Sequence, residues 1–139
     1  MPATLTGVVK AALATPLPTL TVSAYEPAGS APVAFPYITV QEGISRVNNT
    51  ARSPDTQYKD ELVQVDVWQS MGADGAALAA DDPSIAVTVE NTLNALGPQQ
   101  LTGNGGFLFR FLVTSTVRKY DHRDRVLHEA ITVRVARHY

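Results

Sequence analysis

The side chains in this chain that most resemble a catalytic motif lie near its C-terminus. His122-Arg123-Asp124 has the order of the kinase catalytic loop, in which the Asp acts as a base and an Asn five residues later binds Mg²⁺. Here Glu129 stands at that later position, and the sequence has no glycine-rich nucleotide loop. A chain of 139 residues is also far too short for a kinase. We therefore reject this interpretation.

The same region contains side chains that bind metals in other proteins. Asp121, His122 and Asp124 lie within one predicted turn, but a second histidine at ligand spacing is missing. His128 follows six residues after His122, on the far side of the predicted turn. The cluster is therefore interpreted as a solvated hairpin turn, and neither a metal nor a cofactor is predicted.

Other possible catalytic patterns lack the context that their chemistry requires. The run Gly103-Asn-Gly-Gly106 has no strand before it and no helix after it, so it does not predict a phosphate-binding loop. No serine lies in a nucleophile-elbow sequence. Asp81 and Asp82 precede a predicted helix, where negative charge is stabilising in any protein. The sequence predicts no catalytic residue, and we expect a protein that is not an enzyme.

Composition and charge limit the remaining possibilities. Residues 1–139 have the size and the 45% hydrophobic content of a single globular domain. The absence of cysteine excludes disulfides and thiolate sites, and no apolar run is long enough for a membrane span. Residues 1–106 have a net charge of −6, whereas residues 107–139 have +4. This asymmetry favours head-to-tail contact between copies, unless the charges mix in the folded chain.

Hydrophobic periodicity predicts an α+β domain. Its antiparallel or mixed sheet has about five strands, with an N-terminal helix and one longer amphipathic helix packed on one face, and a C-terminal β-hairpin. Residues 42–60 show no sustained period and are expected to form a long connection, either a partner-binding arm or plain surface disorder. The predicted elements are helix Leu5–Ala14, strands Leu20–Tyr25, Phe35–Gln41 and Glu61–Ser70, a helix from Pro83 to Leu96, and hairpin strands Phe107–Val117 and Val126–His138. The apolar stripe predicted on the second helix consists of Ile85, Val89, Leu93 and Leu96. On the first hairpin strand, alternation predicts one face with Phe107, Phe109, Phe111 and Val113 and the other with Arg110, Thr114 and Thr116.

Two of the predicted strands carry a family resemblance. The run Phe35-Pro-Tyr-Ile-Thr-Val40 precedes Val63-Gln-Val-Asp-Val-Trp68, and an amphipathic helix follows. This order resembles the tail-terminator (tail-completion) proteins of long-tailed bacteriophages. The resemblance covers most of the chain in the order of its elements, but only these two short runs residue by residue.

The resemblance implies a structural virion protein of the tail or neck, made in the host cytoplasm. Such a protein caps the tail tube, ends its polymerisation and docks the tail to the head connector. Its expected partners are its own copies in a ring, a hexamer by the resemblance, together with the tube protein and the head-closure protein. DNA would only pass through the lumen, and no membrane is involved. A head-closure or neck adaptor protein and a tail-tube subunit are alternatives in the same setting.

Contacts with these partners are expected in the residues 42–60 connection and at the hairpin turn. The candidate contact residues are Arg46, Arg52, Tyr58, Arg118, Lys119, His122, Arg123 and Arg125. Basic residues after position 106 could also contact phosphates, although the acidic balance of the whole chain favours partner docking. Trp68, the only tryptophan, is interpreted as a core or interface anchor, with ligand stacking as the alternative.

A third hypothesis belongs to a different class: a small ligand-binding domain or enzyme. It requires polar side chains that converge within the apolar strands. Asp66, Arg110 and His128 are the residues that suggest it.

Overall fold

The protein forms a mixed β-sheet with two helices on one face. The computed structural model describes residues 4–24, 36–50, 57–70, 83–101, 107–121, 123 and 126–138. The elements in chain order are α1 (Leu5–Leu13), β1 (Thr21–Ala24), β2 (Tyr37–Thr50), β3 (Gln57–Ser70), α2 (Pro83–Asn94), β4 (Gln99–Gln100), β5 (Phe107–Asp121) and β6 (Val126–His138).

The six strands lie in the order β1-β2-β3-β6-β5-β4. β1 pairs in parallel with β2, and every other neighbouring pair is antiparallel. The predicted α+β class, mixed sheet and C-terminal hairpin are confirmed. The sixth strand, β4, is a two-residue segment that pairs with the start of β5.

One face of the sheet, here called the helix face, carries the hydrophobic core. Val63, Val65 and Val67 alternate along β3 and are fully buried there. α1 contacts β1 and β2, whereas α2 contacts β5 and β6, so the two helices share this face. The predicted stripe on α2 is confirmed for its three buried members, and Leu96 packs half-buried beside them. The helical core residues are Leu5, Val8, Val9, Leu13, Ile85, Ala86, Val89 and Leu93.

Two side chains hold the start of α1. The Thr4 hydroxyl accepts a hydrogen bond from the Gly7 N–H, as expected of an N-cap residue. Glu42, on β2, accepts bonds from the Leu5 N–H at 3.0 Å and from the Thr6 hydroxyl at 2.9 Å. Gly43 follows with a φ of 66°, at the irregularity where the β2–β3 register shifts. The register shift in β2 therefore lies beside Glu42, whose carboxylate binds the N-terminus of α1, the positive end of the helix dipole.

The prediction of a connection over residues 42–60 is wrong. β2 continues to Thr50 and β3 begins at Gln57, so most of this segment forms a long antiparallel hairpin. Strand pairing depends on backbone hydrogen bonds and does not require a buried face. These residues can therefore form strands without an alternating hydrophobic pattern, and the sequence did not predict them for that reason.

The predicted faces of β5 are partly wrong because the strand contains two register shifts. They lie between Leu108 and Arg110 and between Val113 and Ser115. Each shift inserts one residue and reverses the alternation of faces. Leu108 is therefore buried in the core, although the prediction left it outside the apolar face. Thr116 was expected beside Arg110 but lies on the helix face, where its hydroxyl donates to Glu90 of α2 at 2.6 Å.

We expect Glu42→Ala to lower the free energy of unfolding by about 1 kcal/mol, because the Leu5 N–H and the Thr6 hydroxyl lose their shared acceptor at an exposed position. Urea unfolding followed by circular dichroism measures the change. Gln41→Ala, at the preceding exposed position, is the matched control and should have a much smaller effect. Equal losses in the two variants would show that Glu42 does not stabilise α1 through these bonds.

Candidate functional site

The predicted contact residues separate into two groups at opposite ends of the sheet. Arg118, Lys119 and Arg123 lie at the β5–β6 turn, whereas Arg46 and Tyr58 lie on the β2–β3 hairpin. Tyr58 is opposite His138, at the far end of β6 from that turn. The ten residue-to-residue steps from Tyr58 to Trp68 on β3 correspond to about 33 Å at the usual strand rise. Arg52, His122 and Arg125 lie outside the described residues.

The three described residues of the turn group have different surroundings. The Arg118 guanidinium lies 3.4 Å from the buried Glu129 carboxylate and donates to the Tyr120 hydroxyl, so it also stabilises the β5–β6 pair. The Lys119 side chain is exposed. At Arg123 the backbone N–H donates to Asp121 Oδ1 at 3.0 Å, and the exposed side chain is not needed for that bond. Arg123 is therefore a residue that can change charge without disturbing the turn.

A row of stacked rings crosses the sheet beside this turn. Tyr37, Trp68 and His128 are cross-strand partners on β2, β3 and β6, and Lys119 on β5 completes the row. The Trp68 and His128 rings are parallel within 1°, with their centroids 4.0 Å apart. Tyr37 stacks against Trp68 with a centroid separation of 6.1 Å. The row lies on the sheet face opposite the helix face, which we call the second face.

Polar side chains beside the row hold two of its rings, those of His128 and Trp68. Asp66 is 1% exposed, and its Oδ1 accepts from the Gln64 amide at 2.7 Å and lies 2.5 Å from His128 Nε2. Because a carboxylate accepts hydrogen bonds, we assign the proton to Nε2. The Trp68 Nε1–H donates to the Thr39 hydroxyl at 2.9 Å. Asp66 and His128 thus converge, as the third hypothesis required, whereas Arg110 lies elsewhere.

Sequence reasoning did not identify Tyr37, Thr39 and Gln64 as members of this cluster. They become neighbours through the β2–β3 register, which joins Thr39 to Asp66 and Tyr37 to Trp68. The one sequence signal for this cluster was the alternation that places Gln64, Asp66 and Trp68 on the same side of β3.

A cleft of about 380 Å³ opens beside the ring row. It has the size of a small-ligand pocket, and its walls combine aromatic rings with one cation and one carboxylate. Such a lining can hold a planar group or an inserted side chain. Within the described residues, no group of three or more His, Asp or Glu side chains is placed to hold a metal ion. The lining residues are Tyr37, Trp68, Lys119, Tyr120, Asp121, Val126 and His128.

A smaller hollow of about 190 Å³ lies nearer the other end of the second face. Arg134 of β6 forms an ion pair there with Asp60 of β3. Arg110 and Leu112 of β5 complete the wall with Ala136. The Asp60–Arg134 pair joins the acidic and basic parts of the sequence, so the charges of the two parts mix at this position.

Comparison with known proteins gives a likeness of fold. No protein-family profile matches the chain, and no curated protein matches it. A solved structure described as "Virion of native gene transfer agent (GTA) particle" contains a similar chain, with a TM-score of 0.56 and 16% sequence identity. The match covers 95% of this chain and 85% of that chain. The two chains thus share a fold over nearly their whole lengths.

We expect His128→Ala to lower the free energy of unfolding by about 1–3 kcal/mol, because the buried Asp66 carboxylate loses a donor and the Trp68 ring loses its stacked neighbour. Trp68 is the only tryptophan, so its fluorescence in a urea titration reports on this site directly. The double variant with Asp66→Ala should lose less than the two single variants together. Additive losses would mean that Asp66 and His128 do not stabilise each other.

Proposed function

We propose that this chain is a structural protein of a phage-like virion and acts as a tail terminator. In this role copies of the chain form a ring, a hexamer by family resemblance, that caps the tail tube and ends its polymerisation. The ring then offers its other surface to the head connector, while DNA passes only through the lumen. The observation that carries the proposal is the likeness of fold, over nearly the whole chain, to a chain of a gene transfer agent virion.

The structure supports the proposal in two further ways. The strand pair that resembles the tail-terminator family forms adjacent antiparallel strands of the sheet, β2 and β3. The five predicted contact residues that the structure describes also lie at two opposite ends of the sheet, as a subunit that joins two different partners requires. Among the described residues, no helix is long and apolar enough to cross a membrane.

Electron microscopy of particles made without this gene tests the role. Overlong tubes without heads are expected, because nothing would stop the growth of the tube. Tails of normal length without heads would instead indicate a head-closure or neck adaptor protein. An absence of tubes would indicate a tube subunit, and intact virions would contradict any structural role in the particle.

The cleft beside Trp68 and His128 is the observation that favours a small-molecule binding protein as a second candidate. A thermal-shift screen of small planar compounds tests it, because a ligand that binds only the folded state raises the unfolding temperature. A reproducible large shift that is lost in Trp68→Ala would support this candidate. A screen without any shift would leave the structural role as the function that the fold supports.

We expect Arg123→Glu combined with Arg125→Glu to weaken assembly of the ring or its attachment to the tube, because two cations at the turn become anions. Sedimentation of the chain, alone and with purified tubes, measures assembly. The thermal unfolding temperature should remain within about 2 °C of the original, since the Arg123 side chain is exposed and surface substitutions have small effects. Lys10→Glu, an exposed charge reversal on α1, is the control. Unchanged assembly would exclude the turn as a contact.

A further inference from the structure

Two arginines and one aspartate surround the smaller hollow on the second face, which has a volume of about 190 Å³. Ala136 of β6 lies between Asp60 of β3 and Arg110 of β5 in one cross-strand row. Its small side chain leaves the space between these two charged side chains open. Arg134, two residues before Ala136 on the same face, completes the charged wall. The hollow therefore lies among two cations and one anion.

A register shift in β5 places Arg110 at this hollow. Leu108 is buried in the core on the helix face, so regular alternation would place Arg110 on that face as well. The shift between Leu108 and Arg110 inserts one residue and turns the arginine to the second face, opposite Ala136. Such irregularities often re-aim a side chain beside a functional site. The strand thus departs from regular pairing at the point that brings a second cation to the hollow.

The two cations at the hollow are only partly neutralised. Arg134 forms an ion pair with Asp60 through one of its guanidinium nitrogens, and the other N–H donors of the group are left for a second anion. Arg110 is exposed and forms no ion pair with any residue that the structure describes. Like charges on neighbouring strands destabilise a sheet. An anion between the two arginines would remove that repulsion.

The donors at the hollow fit a phosphate group better than a carboxylate. A guanidinium presents its N–H donors in a planar fork that matches two oxygens. One fork is enough for the two oxygens of a carboxylate, whereas a phosphate has oxygens for both arginines. Leu112, the cross-strand partner of Arg134, is 40% exposed and gives the hollow an apolar wall. Such a wall suits the carbon atoms of a phosphate ester.

We infer that this hollow binds a phosphate group between Arg110 and Arg134. Asp60 holds the Arg134 guanidinium in position and also repels the anion, so the binding is weak and salt-dependent. A group of this chemistry belongs either to a DNA backbone or to a free phosphate, and the test below distinguishes these sources. All the residues of the site belong to one copy of the chain. The inference therefore does not depend on the ring of the proposed function.

Equilibrium dialysis of the whole chain with radiolabelled inorganic phosphate, at constant low ionic strength, tests the site. We expect saturable binding of one phosphate per chain. Arg110→Gln should weaken this binding about tenfold, because the hydrogen bonds from a charged group are lost. Lys10→Gln is the matched control, since it removes one exposed positive charge on α1 and should leave the binding unchanged. Circular dichroism should show that both variants fold.

Fluorescence anisotropy with a short labelled DNA duplex, at the same ionic strength, identifies the source of the phosphate. Duplex binding that is weakened by Arg110→Gln and not by Lys10→Gln would support the site and assign the phosphate to DNA. Saturable binding of inorganic phosphate that depends on Arg110, without such a dependence for the duplex, would support the site and assign it to a free phosphate. The absence of saturable binding of both ligands would overturn the inference, and so would equal binding by the two variants.

Discussion

The antiparallel pairing of β3 with β6 is the constraint on which the rest of the structure depends. It runs without a register shift over thirteen residue pairs, from Tyr58 and His138 to Ser70 and Val126. Because alternate residues point to opposite faces, this register brings Val63 and Val65 beside Val133 and Ile131 on the helix face. The same register brings Trp68 beside His128 on the second face. A shift by one residue would expose the core and separate the ring stack.

The polar cluster on the second face has a free-energy cost that its hydrogen bonds offset. Burial of a carboxylate is unfavourable unless its oxygens are hydrogen-bonded. Asp66 faces two donors, Gln64 and His128, and the small Ala130 is its cross-strand neighbour on β6. The arrangement gives the sheet a rigid group of aromatic rings at the end where the β5–β6 turn lies. Rigid aromatic groups are well suited to contact a partner because little side-chain entropy is lost on binding.

Elements with a buried face could be predicted from the sequence, and the details set by backbone pairing could not. The valines of β3 and the stripe of α2 have clear periods because each covers the core on one side only. The β2–β3 hairpin beyond Gln41 has no such period, so its strands were not recognised. The faces of β5 were misassigned because the two inserted residues reverse the alternation, and no residue type marks them. At the candidate site, Asp66 and His128 were noted as polar residues within apolar strands. Their convergence depends on register, which one sequence does not specify.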